Sequence, residues 1–99
     1  MQSRHLSGRD IVGVPYEAYV YLNNQVLIPA SLVRSLKLQE VYGVLVTLEY
    51  EGIEFTLKVK LLKTRRTDSR QFTIPREVRE KYGILPGSRI KVKRIEAIA

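Results

Sequence analysis

Apolar and polar residues alternate most cleanly between positions 44 and 62. Val44, Val46, Leu48 and Tyr50 take one side of a strand, with Leu45, Thr47 and Glu49 on the other. After Glu51-Gly52 the run Ile53, Phe55, Leu57, Val59, Leu61 alternates with Glu54, Thr56, Lys58, Lys60 and Leu62. A period of two is the mark of half-buried strands, and two such runs joined by a short turn predict a hairpin. Upstream, Ile11 to Leu22 is rich in Val, Tyr and Ile, and Pro15 confines its pairing to an edge or bend. Asn23-Asn24 supplies turn chemistry and QVLI returns as a strand. At Pro29 the period changes to 3.6, and Leu32, Val33 and Leu36 form the apolar stripe of a short helix over about 29–37.

The second half repeats this order. KTRRTDSR, Lys63 to Arg70, breaks the alternation and reads as an exposed loop; QFTI follows as a strand. Pro75 opens a second helix with Val78 and Tyr82 inward, Arg76/Glu80 and Glu77/Lys81 as outer i,i+4 pairs, and Gly83 at its end. Pro86-Gly87 makes a turn, and the last strand puts Ile90 and Val92 inward and Arg89, Lys91 and Lys93 outward. QVLIPASLVRSLKL and QFTIPREVREKYGI superimpose at a spacing of 46 residues, matching Gln25 to Gln71, Ile28 to Ile74 and Pro29 to Pro75. The expected fold is mainly β with two short helices, a six-stranded barrel built from two ββαβ repeats related by a pseudo-twofold. Residues 1–10 are read as a flexible tail and 11–99 as one domain, with repeat one over about 11–50 and repeat two over about 53–96.

Composition narrows the class. Ninety-nine residues with 44% hydrophobic and 27% charged side chains are those of one small globular domain. The absence of cysteine excludes disulfides and thiolate metal sites, and the single histidine, His5, falls in the tail. No apolar run is long enough for a membrane span and the start lacks a signal-peptide core, so a cytoplasmic protein with no membrane partner is expected. The net charge is +7 and lies entirely in the second half. Residues 1–50 hold four Lys/Arg and four Asp/Glu, whereas residues 51–99 hold thirteen and six. A basic excess of this kind is the electrostatic footprint of nucleic-acid binding, and a solvated surface is its bland counterpart.

RQFTIPREVREKYGILPGSRIKV resembles the SpoVT/AbrB DNA-binding unit: a strand ending in Ile-Pro, a helix carrying arginine, a glycine, a Pro-Gly turn and a basic strand. VLIPASLVRSLKL is similar to the MazE-antitoxin variant of the same superfamily. The resemblance implies a cradle-loop barrel, of the swapped-hairpin or the RIFT type, and a DNA-binding protein acting as a transcriptional regulator or antitoxin. It sets Arg79 where such helices place a DNA-contacting arginine, with Arg34 one position off in the first copy. Glu80 stands where a further basic residue is frequent, and Ser88 where an acidic one is usual after the glycine. Both copies lie in one chain, so a monomer is expected.

The candidate nucleic-acid residues are therefore Lys63, Arg65, Arg66 and Arg70 in the loop, with Arg79 and Arg34. Several cations close together grip phosphates, and arginine adds a planar fork for phosphate or a guanine edge. The competing class is a RIFT-type barrel that binds a small ligand or nucleotide, or serves protein interaction. No nucleophile with a base, no phosphate-cradling glycine loop and no metal-ligand set is present, so no catalytic residue, metal or cofactor is expected. Tyr19, Tyr21, Tyr50 and Tyr82 are expected to fill the barrel.

Overall fold

The computed structural model describes residues 13–98. The tail, His5 and the first two residues of the expected opening strand lie outside them. Seven strands and two helices follow one another: β1 (Tyr16–Tyr19), β2 (Gln25–Ile28), α1 (Ala30–Ser35), β3 (Gly43–Tyr50), β4 (Ile53–Lys60), β5 (Leu62–Lys63), β6 (Arg70–Thr73), α2 (Arg76–Tyr82) and β7 (Arg89–Ala97). They form two antiparallel sheets, one of four strands in the order β1-β7-β3-β4 and one of three in the order β2-β6-β5. None of the helices is long and apolar enough to cross a membrane.

The closed barrel expected from the repeat is not what the strand ladders form. At both corners where a strand leaves the larger sheet, backbone pairing runs one step past the ladder: the Val20 N–H donates to Ser88 O beyond Tyr19↔Arg89, and the Leu61 N–H to Tyr42 O beyond Gly43↔Lys60, at 2.9 and 2.8 Å. No strand ladder joins the two sheets among the described residues. Side chains bridge the seam instead. The buried Tyr16 on β1 donates its hydroxyl to Leu27 O on β2 at 2.9 Å, and burial pushes that hydroxyl's pKa well above the usual tyrosine range.

The order of the four-stranded sheet reads the same when β1 is exchanged with β4 and β3 with β7; in the smaller sheet β2 and β6 pair with each other, and β5 has no counterpart. The registers share that symmetry. Val26 on β2 pairs with Phe72 on β6, residues 46 apart, and Gln25↔Thr73 is mirrored by Leu27↔Gln71. In the larger sheet Leu48 on β3 pairs with Val92 on β7, and a bulge at Thr47/Leu48 shifts the register on one side of that pair. Val92 also pairs with Tyr16, and Leu48 with Phe55, so Tyr16 and Phe55 hold corresponding places.

The helices begin and end alike. Pro29 and Pro75 are both N-caps in extended conformation, at φ −60, ψ 151 and φ −59, ψ 148, one position earlier than the first helical residue expected of them. Each proline carbonyl accepts two N–H groups of the first turn, from Leu32 and Val33 and from Val78 and Arg79. At the other end Leu38 N–H reaches Val33 O and Ile84 N–H reaches Arg79 O, both closing around a left-handed residue. That residue is Gly83 in α2, at φ 73, but Lys37 in α1, at φ 58. A lysine there bears a steric cost that glycine does not. Lys37→Gly is accordingly expected to stabilise the fold by about 0.5–1 kcal/mol, read from the urea midpoint; a loss of stability would mean that the Lys37 side chain contributes more than its backbone costs.

Phe72, Ile28, Leu32, Leu48, Ile74, Ile84, Ile90, Val26, Val33, Val44, Val46 and Val92 are completely enclosed between the sheets and helices. Leu36, expected in the apolar stripe, is the C-cap of α1 and 37% exposed, and Ile53 faces solvent beside the Glu51-Gly52 turn. Tyr50 and Tyr82 pack on the core as expected, Tyr82 stacking on Phe55 at 4.3 Å. Tyr19 and Tyr21 are exposed instead, and the buried tyrosine is Tyr16.

Candidate nucleic-acid interface

Lys63 ends β5 and Arg70 begins β6; the two pair across the hairpin, leaving Thr64–Ser69 as its loop. Short hydroxyl side chains brace this loop from inside. Thr64 Oγ1 lies 2.5 Å from Ser69 Oγ and 3.0 Å from Thr67 Oγ1, Thr67 and Ser69 hydroxyls are 2.6 Å apart, and the Ser69 N–H donates to Thr67 Oγ1. Arg66 takes a left-handed conformation, φ 69, at the bend. The polar atoms able to satisfy one another are turned inward, and the side chains of Lys63, Arg65 and Arg66 are exposed. None of the three enters an ion pair among the described residues.

The other three candidates are placed differently. Arg70 is 6% exposed, and its guanidinium donates to Asp68 O, Ser69 O and Gln39 O at 2.7, 3.0 and 2.9 Å. Its expected place in the exposed loop is therefore corrected: it is an internal strut tying the hairpin to the α1–β3 connection. Its donors are matched by three carbonyls, one of which, Ser69 O, also accepts from the Thr64 hydroxyl, and that is why an arginine is tolerated there. Arg79 is half-buried and donates Nε–H to Ile74 O at 3.0 Å. Arg34 on α1 reaches the loop and pairs with Asp68 at 3.3 Å, both about half exposed. Arg34, Arg66, Thr67, Asp68 and Ala30 line an open concavity of about 550 Å³.

Two cations that sequence reasoning treated only as a strand's solvent side belong beside the loop. Lys58 and Lys60, on the exposed face of β4, line a groove of about 290 Å³ with Leu62, Thr73 and Pro75. Together with Lys63, Arg65 and Arg66 they make a segment, residues 58–66, with five cations and no acid. The signal was present in the Lys-Val-Lys alternation, which carries one face of β4 straight into the loop.

By contrast, two of the four cations of the basic final strand are paired. Arg89 pairs with Glu17 at 3.4 Å and meets the Tyr19 hydroxyl and ring, while Lys93 lies 3.3 Å from Glu49 and 3.8 Å from Glu54. Exposed pairs of this kind add little stability, yet they reduce the positive potential of that sheet face. Lys91 and Arg94 enter no ion pair among the described residues, but the densest acid-free run of cations is the one at the second hairpin, residues 58–66.

Comparisons of the chain with protein-family models, with curated proteins and with solved structures gave no match.

Proposed function

We propose that the second hairpin is a nucleic-acid-binding arm and that the chain is an AbrB-like DNA-binding protein, a cytoplasmic regulator or antitoxin without catalytic activity of its own. The observation that carries this reading is the exposed, unpaired trio Lys63, Arg65 and Arg66 on a hydroxyl-braced loop. Bracing lowers the entropy cost of fixing the cations against a phosphate backbone, and leaves their heads free of internal counter-ions. The same reading takes the fold as a duplicated cradle-loop barrel. Its support is the exchange symmetry of the four-stranded order and the pairing of Val26 with Phe72 and of Leu48 with Val92.

The test is a titration with duplex DNA over a range of salt concentrations. Three phosphate contacts give a slope of log affinity against log salt of about −2.7, and Arg65→Ala with Arg66→Ala should flatten it by about 2 units with the fold intact. Uniform weakening across sequences marks phosphate contacts; loss on a single sequence marks base readout. Absence of binding to any duplex at low salt would reject the proposal.

A further inference from the structure

The two hairpins that occupy corresponding places in the strand order are not alike. Tyr16 and Phe55 correspond at a spacing of 39 residues, and Val26 and Phe72 at 46. The path from Phe55 to Phe72 is therefore seven residues longer than that from Tyr16 to Val26. The added length includes the stretch that carries Lys63, Arg65 and Arg66. The shorter connection, Val20 to Asn24, holds no charged residue at all. Its tip is Leu22, 91% exposed, next to Tyr21, also exposed. Asn23 is spent on Gln25, accepting its N–H and donating to its side chain. The nearby Arg89 is already held by Glu17 and Tyr19.

A twofold protein that reads DNA with two like elements imposes a matching dyad on its site. Here the relation between the halves holds through the sheets and helix starts and fails at the hairpins. Building on the DNA-binding reading above, we infer that one chain engages duplex DNA through its second hairpin alone, on a site that has no dyad, with one chain per site. The phosphate contacts come from Lys63, Arg65 and Arg66, with Lys58 and Lys60 close by in the chain on the exposed face of β4. The Leu22 tip offers no cation and makes no phosphate contact.

An acidic residue placed at either tip of the full chain distinguishes one arm from two. Arg65 and Leu22 are both exposed, so Arg65→Glu and Leu22→Glu should keep the far-ultraviolet dichroism of the parent. At about 50 mM salt, Arg65→Glu is expected to weaken binding to a non-palindromic duplex at least tenfold, and Leu22→Glu by less than about twofold. The salt slope for the unaltered chain should stay near −2.7, where two equal arms would give about −5.4. Sedimentation should show one chain per short duplex, and hydroxyl-radical footprints should protect it without a dyad. Comparable weakening by Leu22→Glu, a slope near the two-arm value, or a dyad-symmetric footprint with two chains would overturn the inference while leaving DNA binding itself standing. Failure of the unaltered chain to bind any duplex at low salt would overturn both.

Discussion

Replacing Phe72 by alanine is expected to lower the unfolding free energy by about 3–5 kcal/mol, the cost of deleting a well-packed aromatic side chain. Phe72 is fully buried and sits in β6, the central strand of the three-stranded sheet. Its partner across the ladder is Val26, the residue about which the β2–β6 register is symmetric, so a cavity opened here borders both halves of the core. Neither sheet can collapse into it without shifting β2, whose Val26 and Ile28 are themselves enclosed. For a domain of this size, whose total stability is of the order of 5–15 kcal/mol, the loss removes a large share of the folded population's margin. Urea unfolding followed by circular dichroism should show a much lower midpoint at similar slope. A loss under about 1 kcal/mol would mean that the two halves do not close on this side chain.

Arg70→Met should be the most damaging change among the charged residues, at about 2–4 kcal/mol. Methionine preserves much of the volume but removes the guanidinium donors from the carbonyls of Gln39, Asp68 and Ser69, of which Ser69 O keeps the Thr64 hydroxyl. Arg70→Lys should recover little, because an ammonium cannot span three separated acceptors as a planar guanidinium does. The same variants separate support from contact. If Arg70 is a strut, DNA affinity falls only as far as the loop is disturbed, and stability falls first. Unchanged stability with a salt slope flattened by about 1 unit would instead make Arg70 a phosphate ligand.

Local chemistry accounts for much of the architecture. The alternation in β3 and β4 and the Glu51-Gly52 turn between them follow from period and turn preference; the two turn residues sit at φ 52 and 79, as a tight hairpin requires. The repeated Ile-Pro placed both helix starts, and Gly83 the end of α2. Each of these signals acts over a few residues, where backbone sterics decide the outcome. The exposed trio of the site was legible for the same reason: a polar run between two strands has nowhere to bury three long cations.

Short-range chemistry accordingly specifies most of the elements, their order and the most exposed basic segment. How the two halves meet, and which charges stay unpaired, follows from contacts between residues far apart in the chain. Arg70 and Arg66 look alike in the string RRTDSR, yet one is buried and held in part by a carbonyl from a connection 31 residues away, and the other is exposed. Arg89 and Lys93 look as available as Lys63 until Glu17 and Glu49, 72 and 44 residues distant, come to lie beside them. The Val20 and Leu61 N–H groups likewise find acceptors far off in the chain, at Ser88 and Tyr42. Pairing and desolvation are set by neighbours in space, and a strand's periodicity carries no information about which strand will lie against it.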